Sequence, residues 1–389
     1  MANRPKRIVI LGSTGSIGVQ TLDVIESHPD SFEIVALAAN KDWELLASQA
    51  DKFRPALAAL ANQSEMENFK NAVTVPEVEL VSGQSAVSDL ASLPDIDLVV
   101  NAVVGFAGLG ATLAAVKTGN RLALANKESL VAGGELVTKA AAETKTEIIP
   151  VDSEHSAIFQ CLKAGRRSEI KRLILTASGG PFLDKPLDEF DAITPQEALK
   201  HPNWDMGRKV TIDSATMINK ALEIIEAHWL FGVNPDRIDV MIHPQSIVHS
   251  MVEFFDSSVI AQMSRPDMRL PIRYALFYPD REPGTDGRID FSQLPGLTFL
   301  EPDRERFPAL EIAYRALGMG GTAGTILNAA NEMAVDAFLE GRIGFGMITE
   351  IVQQSLEHIE VKQHPDIDDI VRSDRQAREY AADLVGTPN

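Results

Sequence analysis

The sequence contains a single cysteine, Cys161, among its 389 residues. A disulfide within the chain is therefore impossible, which indicates a reducing compartment. The sequence also has no apolar run that approaches the roughly 18 residues of a membrane span. Its N-terminus has neither an apolar signal core nor a transit segment rich in serine and arginine. We therefore expect a cytoplasmic protein.

Basic residues are scarce: 36 Lys and Arg face 55 Asp and Glu, which gives a net charge of −19. Such a chain repels nucleic acid and anionic membranes, so we expect neither as a partner. An anionic ligand would have to be bound by a local set of donors. The length predicts two or three domains, and the hydrophobic content of 45% is that of a globular protein.

A glycine-rich turn near the N-terminus indicates dinucleotide binding. Arg7 to Leu11 is an apolar run typical of a buried strand, and Gly12-Ser-Thr-Gly-Ser-Ile-Gly18 follows it, before a helical pattern. The glycines permit a tight turn and a close approach of the backbone to a pyrophosphate, which the helix N-terminus then faces. The spacing differs from the commoner Gly-x-Gly-x-x-Gly, so a glycine turn of another α/β fold is the alternative.

The end of the second predicted strand, Glu33 to Ala38, favours NADP over NAD. Folds that bind NAD usually have an acidic residue here, which binds the ribose 2′-hydroxyl. This chain has Asn40 and Lys41 instead, and Asp42 follows one residue later. An amide and a base suit a 2′-phosphate, so we expect NADPH with Asn40 among its contacts.

Strands alternate with helices in the first part of the chain, which predicts an α/β fold with a Rossmann-like doubly wound parallel sheet. Its further strands are predicted at 56–60, 97–104, 121–125 and 147–151. Strands predicted at 172–176, 238–242, around 249 and at 259–263 indicate a smaller α+β domain. Helical patterns at 309–317, 324–339, 347–358 and 366–385 predict a C-terminal helical bundle. We therefore expect an NADPH-binding domain at 1–151, a catalytic domain at 152–280, a linker at 281–307 and a helical domain at 308–389.

Two of the predicted strands end in polar residues. Asn126-Lys127-Glu128 follows one of them, and Asp152-Ser153-Glu154 follows the next. In an extended backbone Asp152 and Glu154 point to the same side. Together with Glu223 they would offer the oxygen ligands that Mg²⁺ or Mn²⁺ prefers. The alternative is that Asp152 or Ser153 only caps the helix predicted at 154–162.

The segment from 201 to 223 predicts a phosphate with a metal beside it. Ser214, Asn219 and Lys220 lie near a predicted helix N-terminus, where free N–H groups and the helix dipole favour a phosphate. Asn219, Lys220 and Glu223 share one helical face, and Glu223 would repel a phosphate unless it bound a cation. The alternative is a capped helix with an ordinary Lys–Glu pair. A short strand is predicted just before this helix, from Lys209 to Ile212.

Three further features could belong to a ligand site. Ser178 lies in a glycine-rich turn after a strand, which either holds a phosphate or is an ordinary flexible turn. Trp204 and Met206 lie in a loop, either as part of a lid over a ligand or as anchors of that loop. His201 opens the loop, and a structural role is the default for a single histidine.

Nine motifs, in order, resemble the 1-deoxy-D-xylulose-5-phosphate reductoisomerase family. The resemblance extends from about residue 6 to at least residue 340. The motifs are Gly12-Ser-Thr-Gly-Ser-Ile-Gly18, Asn126-Lys-Glu-Ser129, Asp152-Ser-Glu-His-Ser-Ala-Ile-Phe159, Ala177-Ser-Gly-Gly180, His201-Pro-Asn-Trp204, Asp213-Ser-Ala-Thr216, Asn219-Lys220, His243-Pro-Gln-Ser246 and Pro266-Asp-Met-Arg269.

The resemblance implies a role for each predicted site residue. On the NADPH side it implies contacts from Thr14, Gly15, Ser16, Ile17, Asn126, Glu128, Gly207 and Met268. For Mg²⁺ or Mn²⁺ it implies the ligands Asp152, Glu154 and Glu223. For the substrate phosphate it implies Ser178, Ser214, Asn219 and Lys220, and for the sugar backbone Lys127, Ser153 and His201. Trp204 and Met206 would lie in a flap over the substrate, with His249 lining the site. The residues closest to the chemistry would be Lys127, Asp152, Glu154, His201 and Glu223.

The resemblance also implies a reaction. A homodimer would rearrange 1-deoxy-D-xylulose 5-phosphate, by a retro-aldol/aldol or an α-ketol route, and reduce the product with NADPH to 2-C-methyl-D-erythritol 4-phosphate. The chain differs from the common family pattern at Asn40-Lys41-Asp42, at Asp205 and at Ser264-Arg265.

Two rival hypotheses are compatible with the dinucleotide motif. One is a plain NADP-dependent dehydrogenase of the semialdehyde or homoserine type, and the semialdehyde type would need Cys161 as a nucleophile. The predicted position of Cys161 inside a helix disfavours its activation. The other is a regulator that senses NADP, which would not need the carboxylates Asp152, Glu154 and Glu223.

Overall fold

The computed structural model describes residues 4–200, 204, 206–284, 287–294 and 296–386. They form two compact units, each assembled from separate stretches of the chain. The first unit comprises Met1–Ser129, Val137–Ser156 and Asp267–Asp286, and the second comprises Leu130–Leu136, Ala157–Pro266 and Gly287–Asn389.

The described part of the chain contains eleven strands and fifteen α-helices, besides short 3₁₀ helices. The strands are β1 Lys6–Leu11, β2 Phe32–Ala39, β3 Leu57–Leu60, β4 Glu79–Ser82, β5 Leu98–Asn101, β6 Leu122–Leu124, β7 Ile148–Pro150, β8 Ile170–Ala177, β9 Ile238–Ile242, β10 Val248–Phe254 and β11 Val259–Met263. The helices are α1 Ser16–Glu26, α2 Trp43–Phe53, α3 Met66–Ala72, α4 Gln84–Ala91, α5 Gly108–Thr118, α6 Lys127–Thr144, α7 Ser153–Cys161, α8 Pro195–Ala198, α9 Arg208–Ala215, α10 Ile218–Phe231, α11 Arg269–Phe277, α12 Ala309–Met319, α13 Ala323–Leu339, α14 Met347–His358 and α15 Ile367–Val385.

The first unit is built on a parallel sheet of seven strands. Their order is β4-β3-β2-β1-β5-β6-β7, and every neighbouring pair is parallel. The central strand β1 is fully buried from Ile8 to Leu11, because helices cover both faces of such a sheet. This confirms the predicted doubly wound sheet. β4 was not predicted from the sequence; it is an edge strand whose residues are half-buried or exposed.

The second unit contains a mixed sheet of four strands and the C-terminal helices. The sheet order is β11-β10-β8-β9; β10 is antiparallel to both of its neighbours, whereas β8 and β9 are parallel. The strands predicted around 249 and at 259–263 are confirmed as β10 and β11, which pair as an antiparallel hairpin. One continuous hydrophobic core includes Ile224 of α10, Ala313 of α12 and Ile326 of α13. The helices α12 to α15 confirm that the C-terminal region is helical.

The strand predicted from Lys209 to Ile212 is wrong, because these residues belong to α9. The buried side chains of α9 include Thr211, Ile212 and Ala215, a helical spacing that a window of four residues is too short to show. Met217, at a φ of 61°, then separates α9 from α10, so the single predicted helix is two helices.

Among the described residues, no helix combines the length and the apolar character that crossing a membrane would require.

Candidate active site

The glycine turn of the first unit connects β1 to α1 in a tightly packed arrangement. The Gly12 N–H donates to the Ala38 carbonyl at 2.8 Å, and Gly12 has a φ of +80°. A Cβ at Gly12 would lie 2.5 Å from the Ala102 carbonyl oxygen. Gly15 is the N-cap of α1 and brings no capping side chain, so the amides that start α1 remain available for a phosphate. Thr14, Ser16 and Ile17 lie in this turn and the first turn of α1, as a pyrophosphate contact requires.

Gly18→Ala is expected to weaken NADPH binding and to lower the melting temperature by several degrees. A Cβ at Gly18 would overlap the Gly12 carbonyl oxygen, and overpacking of this kind costs about 1–3 kcal/mol. Gly318→Ala is the matched control, because Gly318 is also helical but has open space around it. Thermal unfolding with and without NADPH measures both effects. Equal melting temperatures and NADPH-induced shifts in the two variants would contradict this account of the turn.

Asp42, the acidic residue that follows β2, has a structural role as a helix cap. The Asp42 side chain accepts a hydrogen bond from the Leu45 N–H at 3.2 Å and caps α2. Asn40 and Lys41 are exposed. The Asp42 carboxylate thus binds a free N–H group at the start of α2. The exposed amide of Asn40 and ammonium of Lys41 suit a 2′-phosphate. A contact between Asn40 and NADPH stays a prediction.

Asn126, which follows β6, is buried, and its side chain forms hydrogen bonds with the loop after β5. Its Nδ2 donates to the carbonyl oxygens of Val103 and Gly105 at 2.7 and 2.9 Å, and to Glu128 at 3.0 Å. Its Oδ1 accepts from the Ser129 N–H and caps α6. Asn126 therefore shapes the loop after β5, while direct contacts of Asn126 and Glu128 with NADPH stay predictions.

The residues after β7 form a charged cluster with Lys127. The Lys127 ammonium forms an ion pair with Asp152 in which both side chains are only 11% exposed. The Nδ1 atom of His155 lies 3.4 Å from Asp152, and the Ser153 hydroxyl donates to Glu154 at 2.5 Å. Burial alone would raise the pKa of Asp152, but Lys127 and His155 outweigh it and hold that pKa well below its usual range.

Asp152 also serves the helix that follows it. Its Oδ1 accepts from the Glu154 N–H at 3.2 Å, within the first turn of α7. Capping and ligand binding can therefore coexist at this residue. His155 was not predicted as a site residue, although its position three residues after Asp152, in the first turn of α7, was a usable signal.

The second unit brings Ser178 and Ser214 into neighbouring segments. Gly179 and Gly180, with φ values of +86° and +67°, turn the chain after β8, and the Gly180 N–H donates to the Ser178 hydroxyl at 3.2 Å. A Cβ at Gly180 would lie 3.0 Å from the Ser214 carbonyl oxygen. Ser178 and Gly180 also line an open groove of about 600 Å³, in which Asp184 and Glu197 balance the charges of Lys185 and Lys200. The groups here that suit an anion are therefore the Ser178 hydroxyl and the N–H groups of the turn.

The predicted common face of Asn219, Lys220 and Glu223 is confirmed on α10. Asn219 donates to one oxygen of Glu223, and Lys220 forms an ion pair with the other. The Lys220 and Glu223 side chains are 4% and 1% exposed. The Lys–Glu pair of the structural alternative is therefore present, but its deep burial distinguishes it from a surface pair.

The loop before α9 is tied to β10. The Trp204 ring lies 6.2 Å from the His249 ring in an edge contact, and His249 Nε2 lies 2.8 Å from the Ser264 hydroxyl. Met206 is half-buried, and Gly207 is exposed at the N-cap of α9. A lid function for Trp204 and Met206 stays a prediction. His201 and Asp205, which the sequence analysis placed in this loop, lie outside the described residues.

Met268 and His243 belong to two further motifs, and the structure gives them different surroundings. Met268, predicted on the NADPH side, is the half-buried N-cap residue of α11. His243 is structural: its Nδ1 contacts the Thr298 carbonyl at 2.8 Å, and its Nε2 accepts from the N–H groups of Ile247 and Val248.

Cys161 is expected to resist alkylation by iodoacetamide at pH 8 in the folded protein, and Cys161→Ser is expected to keep full activity. Burial raises the pKa of the Cys161 thiol to about 11, and a backbone hydrogen bond from Gln262 lowers it only slightly. The thiolate is therefore scarce at pH 8 and becomes abundant only as the pH approaches 11. Mass spectrometry of the native and the urea-unfolded protein measures the labelling. Rapid native labelling together with loss of activity in Cys161→Ser would revive a cysteine nucleophile.

Comparison with known proteins agrees with the resemblance drawn from the motifs. The model of 1-deoxy-D-xylulose 5-phosphate reductoisomerase matches residues 8–134, the model of its C-terminal domain matches 148–231, and a DXP reductoisomerase C-terminal domain matches 263–380. The chain is 51% identical to the 1-deoxy-D-xylulose 5-phosphate reductoisomerase of Pelotomaculum thermopropionicum over 98% of both chains. It is equally identical, over the same shares, to that of Heliobacterium modesticaldum.

Solved structures agree with these matches. The enzyme from Zymomonas mobilis in complex with NADPH is 42% identical, with a TM-score of 0.92 over 99% of this chain and 100% of that one. A DOX-P reductoisomerase in complex with NADPH, fosmidomycin and magnesium is 40% identical, with a TM-score of 0.94 over 98% of both chains.

Proposed function

This chain belongs to the 1-deoxy-D-xylulose 5-phosphate reductoisomerase family, and from that premise we propose which of its residues perform the reaction. It is an oxidoreductase that depends on NADPH and a divalent metal. It converts 1-deoxy-D-xylulose 5-phosphate to 2-C-methyl-D-erythritol 4-phosphate, a precursor of isoprenoids. The observation that carries this conclusion is the near-complete coverage of both chains at 51% identity.

The proposed metal ligands are Asp152, Glu154 and Glu223. Their carboxylate oxygens are the donors that Mg²⁺ and Mn²⁺ prefer. A carboxylate has to be ionised to bind a metal, and the lowered pKa of Asp152 keeps it ionised throughout the neutral range. Ser153 donates to Glu154 and so restrains one of the three carboxylates. The residues therefore fit a hard divalent cation.

When bound, the metal supplies Lewis-acid polarisation of the substrate oxygens, and NADPH supplies the hydride for the reduction. The chain provides binding and orientation around them. Lys127, beside Asp152, would bind the sugar backbone through its ammonium, together with Ser153 and His201. We assign the NADPH contacts to Thr14, Gly15, Ser16, Ile17, Asn40, Asn126, Glu128, Gly207 and Met268.

The substrate phosphate is assigned to Ser178, Ser214, Asn219 and Lys220. Two hydroxyls, an amide and a buried ammonium offer hydrogen-bond donors within the second unit, and a chain of net charge −19 needs a local set of donors to bind an anion. Binding energy from a phosphate remote from the reacting carbons can be used for orientation. Trp204, Met206 and His249 would exclude water from the reacting groups.

A homodimer and a cytoplasmic location complete the proposal. β11 is an edge strand of its sheet, and its residues Val259 and Ile260 are 49% and 37% exposed. Apolar edge strands favour pairing with another chain, which supports a dimer of identical chains. Light scattering after size-exclusion chromatography measures the mass, and a monomer at micromolar concentration would contradict the dimer.

The decisive assay follows NADPH oxidation with 1-deoxy-D-xylulose 5-phosphate, with and without Mn²⁺. We expect oxidation that requires the metal and this substrate. Aspartate semialdehyde with NADP⁺ and phosphate, and homoserine with NADP⁺, are the controls for the semialdehyde and homoserine forms of the dehydrogenase hypothesis. Turnover of either control without turnover of the phosphorylated sugar would overturn the proposed function, and no turnover at all would favour the NADP-sensing regulator.

A further inference from the structure

The buried carboxylate of Asp213 lies on α9, whose last turn also contains Ser214, and it is bound by two other side chains. Asp213 is only 1% exposed. One of its oxygens accepts from the Lys209 ammonium at 2.7 Å, and the other accepts from the Asn331 amide at 2.8 Å. Lys209 lies one turn earlier on α9, whereas Asn331 lies on α13, 118 positions further along the chain. The carboxylate thus connects the segment before Ser214 to the C-terminal helices.

The stability gained from the bond between Asn331 and Asp213 is partly offset by the burial of the rest of the Asn331 amide. The Asn331 side chain is fully buried, and among the described residues its amide oxygen has no hydrogen-bond partner. Burying an unsatisfied amide oxygen offsets much of the gain from the single bond made by the nitrogen. The amide oxygen of Asn328 likewise has no partner among the described residues, so what distinguishes Asn331 is that its amide nitrogen donates to Asp213 on α9 rather than to its own helix.

The negative charge of Asp213 has to be neutralised if a phosphate is to bind at the neighbouring Ser214. Ser214 is one of the residues assigned to the substrate phosphate, and an uncompensated carboxylate beside it would repel that anion. Lys209 neutralises the charge, and Asn331 occupies the second oxygen. The arrangement therefore permits an anion to bind next to a buried acid.

The placement of α9 also determines the spacing between Ser178 and Ser214. The turn after β8 packs closely on the last turn of α9, since a Cβ at Gly180 would lie 3.0 Å from the Ser214 carbonyl oxygen and 3.3 Å from the Ala215 Cα. A small displacement of α9 would change the distance between the two hydroxyls. Donors for a phosphate have to be placed within a few tenths of an ångström, about 0.5 Å at most.

We propose that Asp213, Lys209 and Asn331 are positioning residues for the substrate phosphate: they fix Ser214 against the β8 turn and cancel the charge beside it. This inference rests on the proposed function, because it requires Ser214 to bind the phosphate. It extends the site to α13, which contains none of the residues assigned to the substrate.

The test compares Asn331→Ala with Asn328→Ala. Asn328 is also fully buried on α13, but its Nδ2 donates to Glu332 on the same helix at 3.0 Å. Both variants are expected to lower the melting temperature by similar amounts. Only Asn331→Ala is expected to raise the KM for 1-deoxy-D-xylulose 5-phosphate, by about fivefold to tenfold, with the KM for NADPH unchanged.

Lys209→Met is the second variant, which keeps the aliphatic stem of a side chain that is 16% exposed. It should raise the same KM at least as much, because it leaves the Asp213 charge uncompensated. An unchanged substrate KM in both variants, or equal rises in the KM values for substrate and NADPH, would overturn the inference.

Ser214→Ala distinguishes this inference from its premise. If Ser214→Ala raises the substrate KM and the Asn331 and Lys209 variants do not, only the positioning role is wrong. If Ser214→Ala leaves the substrate KM unchanged, the assignment of Ser214 to the phosphate is wrong and the positioning role fails with it.

Discussion

Glu154→Gln is expected to lose at least about 99% of the NADPH oxidation seen with 1-deoxy-D-xylulose 5-phosphate, because losing even an indirect support of a metal site typically costs 10–100-fold. The substitution keeps the size of the side chain and its ability to accept a bond from Ser153, but it removes the negative charge. An amide oxygen is a weaker ligand for Mg²⁺ or Mn²⁺ than a carboxylate. We therefore expect the loss to be only partly reversed by a large excess of Mn²⁺.

Metal binding should be measured apart from turnover. Titration of Mn²⁺, followed by the electron paramagnetic resonance signal of the free ion, gives the affinity of wild type and of Glu154→Gln. We expect the variant to bind Mn²⁺ at least about tenfold more weakly, while thermal unfolding and NADPH affinity stay near wild type.

Glu147→Gln is the matched control for this variant. Glu147 directly precedes β7, is half-exposed, and forms a surface ion pair with Arg121 at 2.5 Å. A surface pair of this kind contributes about 0–1 kcal/mol, so activity and Mn²⁺ affinity should not change. Full metal-dependent activity in Glu154→Gln would remove Glu154 from the ligand set, and equal losses in the two variants would indicate a nonspecific charge effect.

The parallel sheet was predictable from the sequence because buried parallel strands give nearly continuous apolar runs. Ile8 to Leu11 is such a run, and the glycine turn after it marks where the chain enters α1. The signal weakens where burial weakens: β4 lies at the edge of the sheet and its four residues show no buried pattern. The strand predicted from Lys209 to Ile212 was wrong for another reason, since apolar and polar residues can alternate by chance over four positions of a helix.

The predictable part of the site was the part that lies in short motifs. Asp152 and Glu154, or Asn219 and Glu223, are close along the chain, so helical or extended geometry predicts their common side. The bond between Asp213 and Asn331 spans 118 positions and depends on how α13 packs against α9. No local pattern indicates such a partner. The lowered pKa of Asp152 likewise required knowledge that Lys127, on another element, lies beside it.

Lys220→Met is expected to raise the KM for 1-deoxy-D-xylulose 5-phosphate by about 100-fold or more, because it removes the only ammonium assigned to the phosphate and hydrogen bonds to charged groups contribute about 1.5–3 kcal/mol each. It also leaves Glu223 buried without its partner cation. Breaking a buried pair costs about 3–5 kcal/mol, so the melting temperature should fall as well. The two effects have to be separated before the first can be interpreted.

Ligand-induced stabilisation separates them, because a ligand that binds the folded state raises the melting temperature by an amount that grows with the logarithm of the ratio of its concentration to its Kd. For Lys220→Met we expect the shift caused by 1-deoxy-D-xylulose 5-phosphate to disappear and the shift caused by NADPH to remain. Lys52→Met is the control, since Lys52 and its partner Glu26 are both 53% exposed, and it should keep both shifts. If Lys220→Met unfolds at a lower temperature but keeps the full substrate-induced shift, Lys220 serves only to neutralise Glu223. The phosphate would then have to be bound by the hydroxyls of Ser178 and Ser214 and by the amides of the β8 turn.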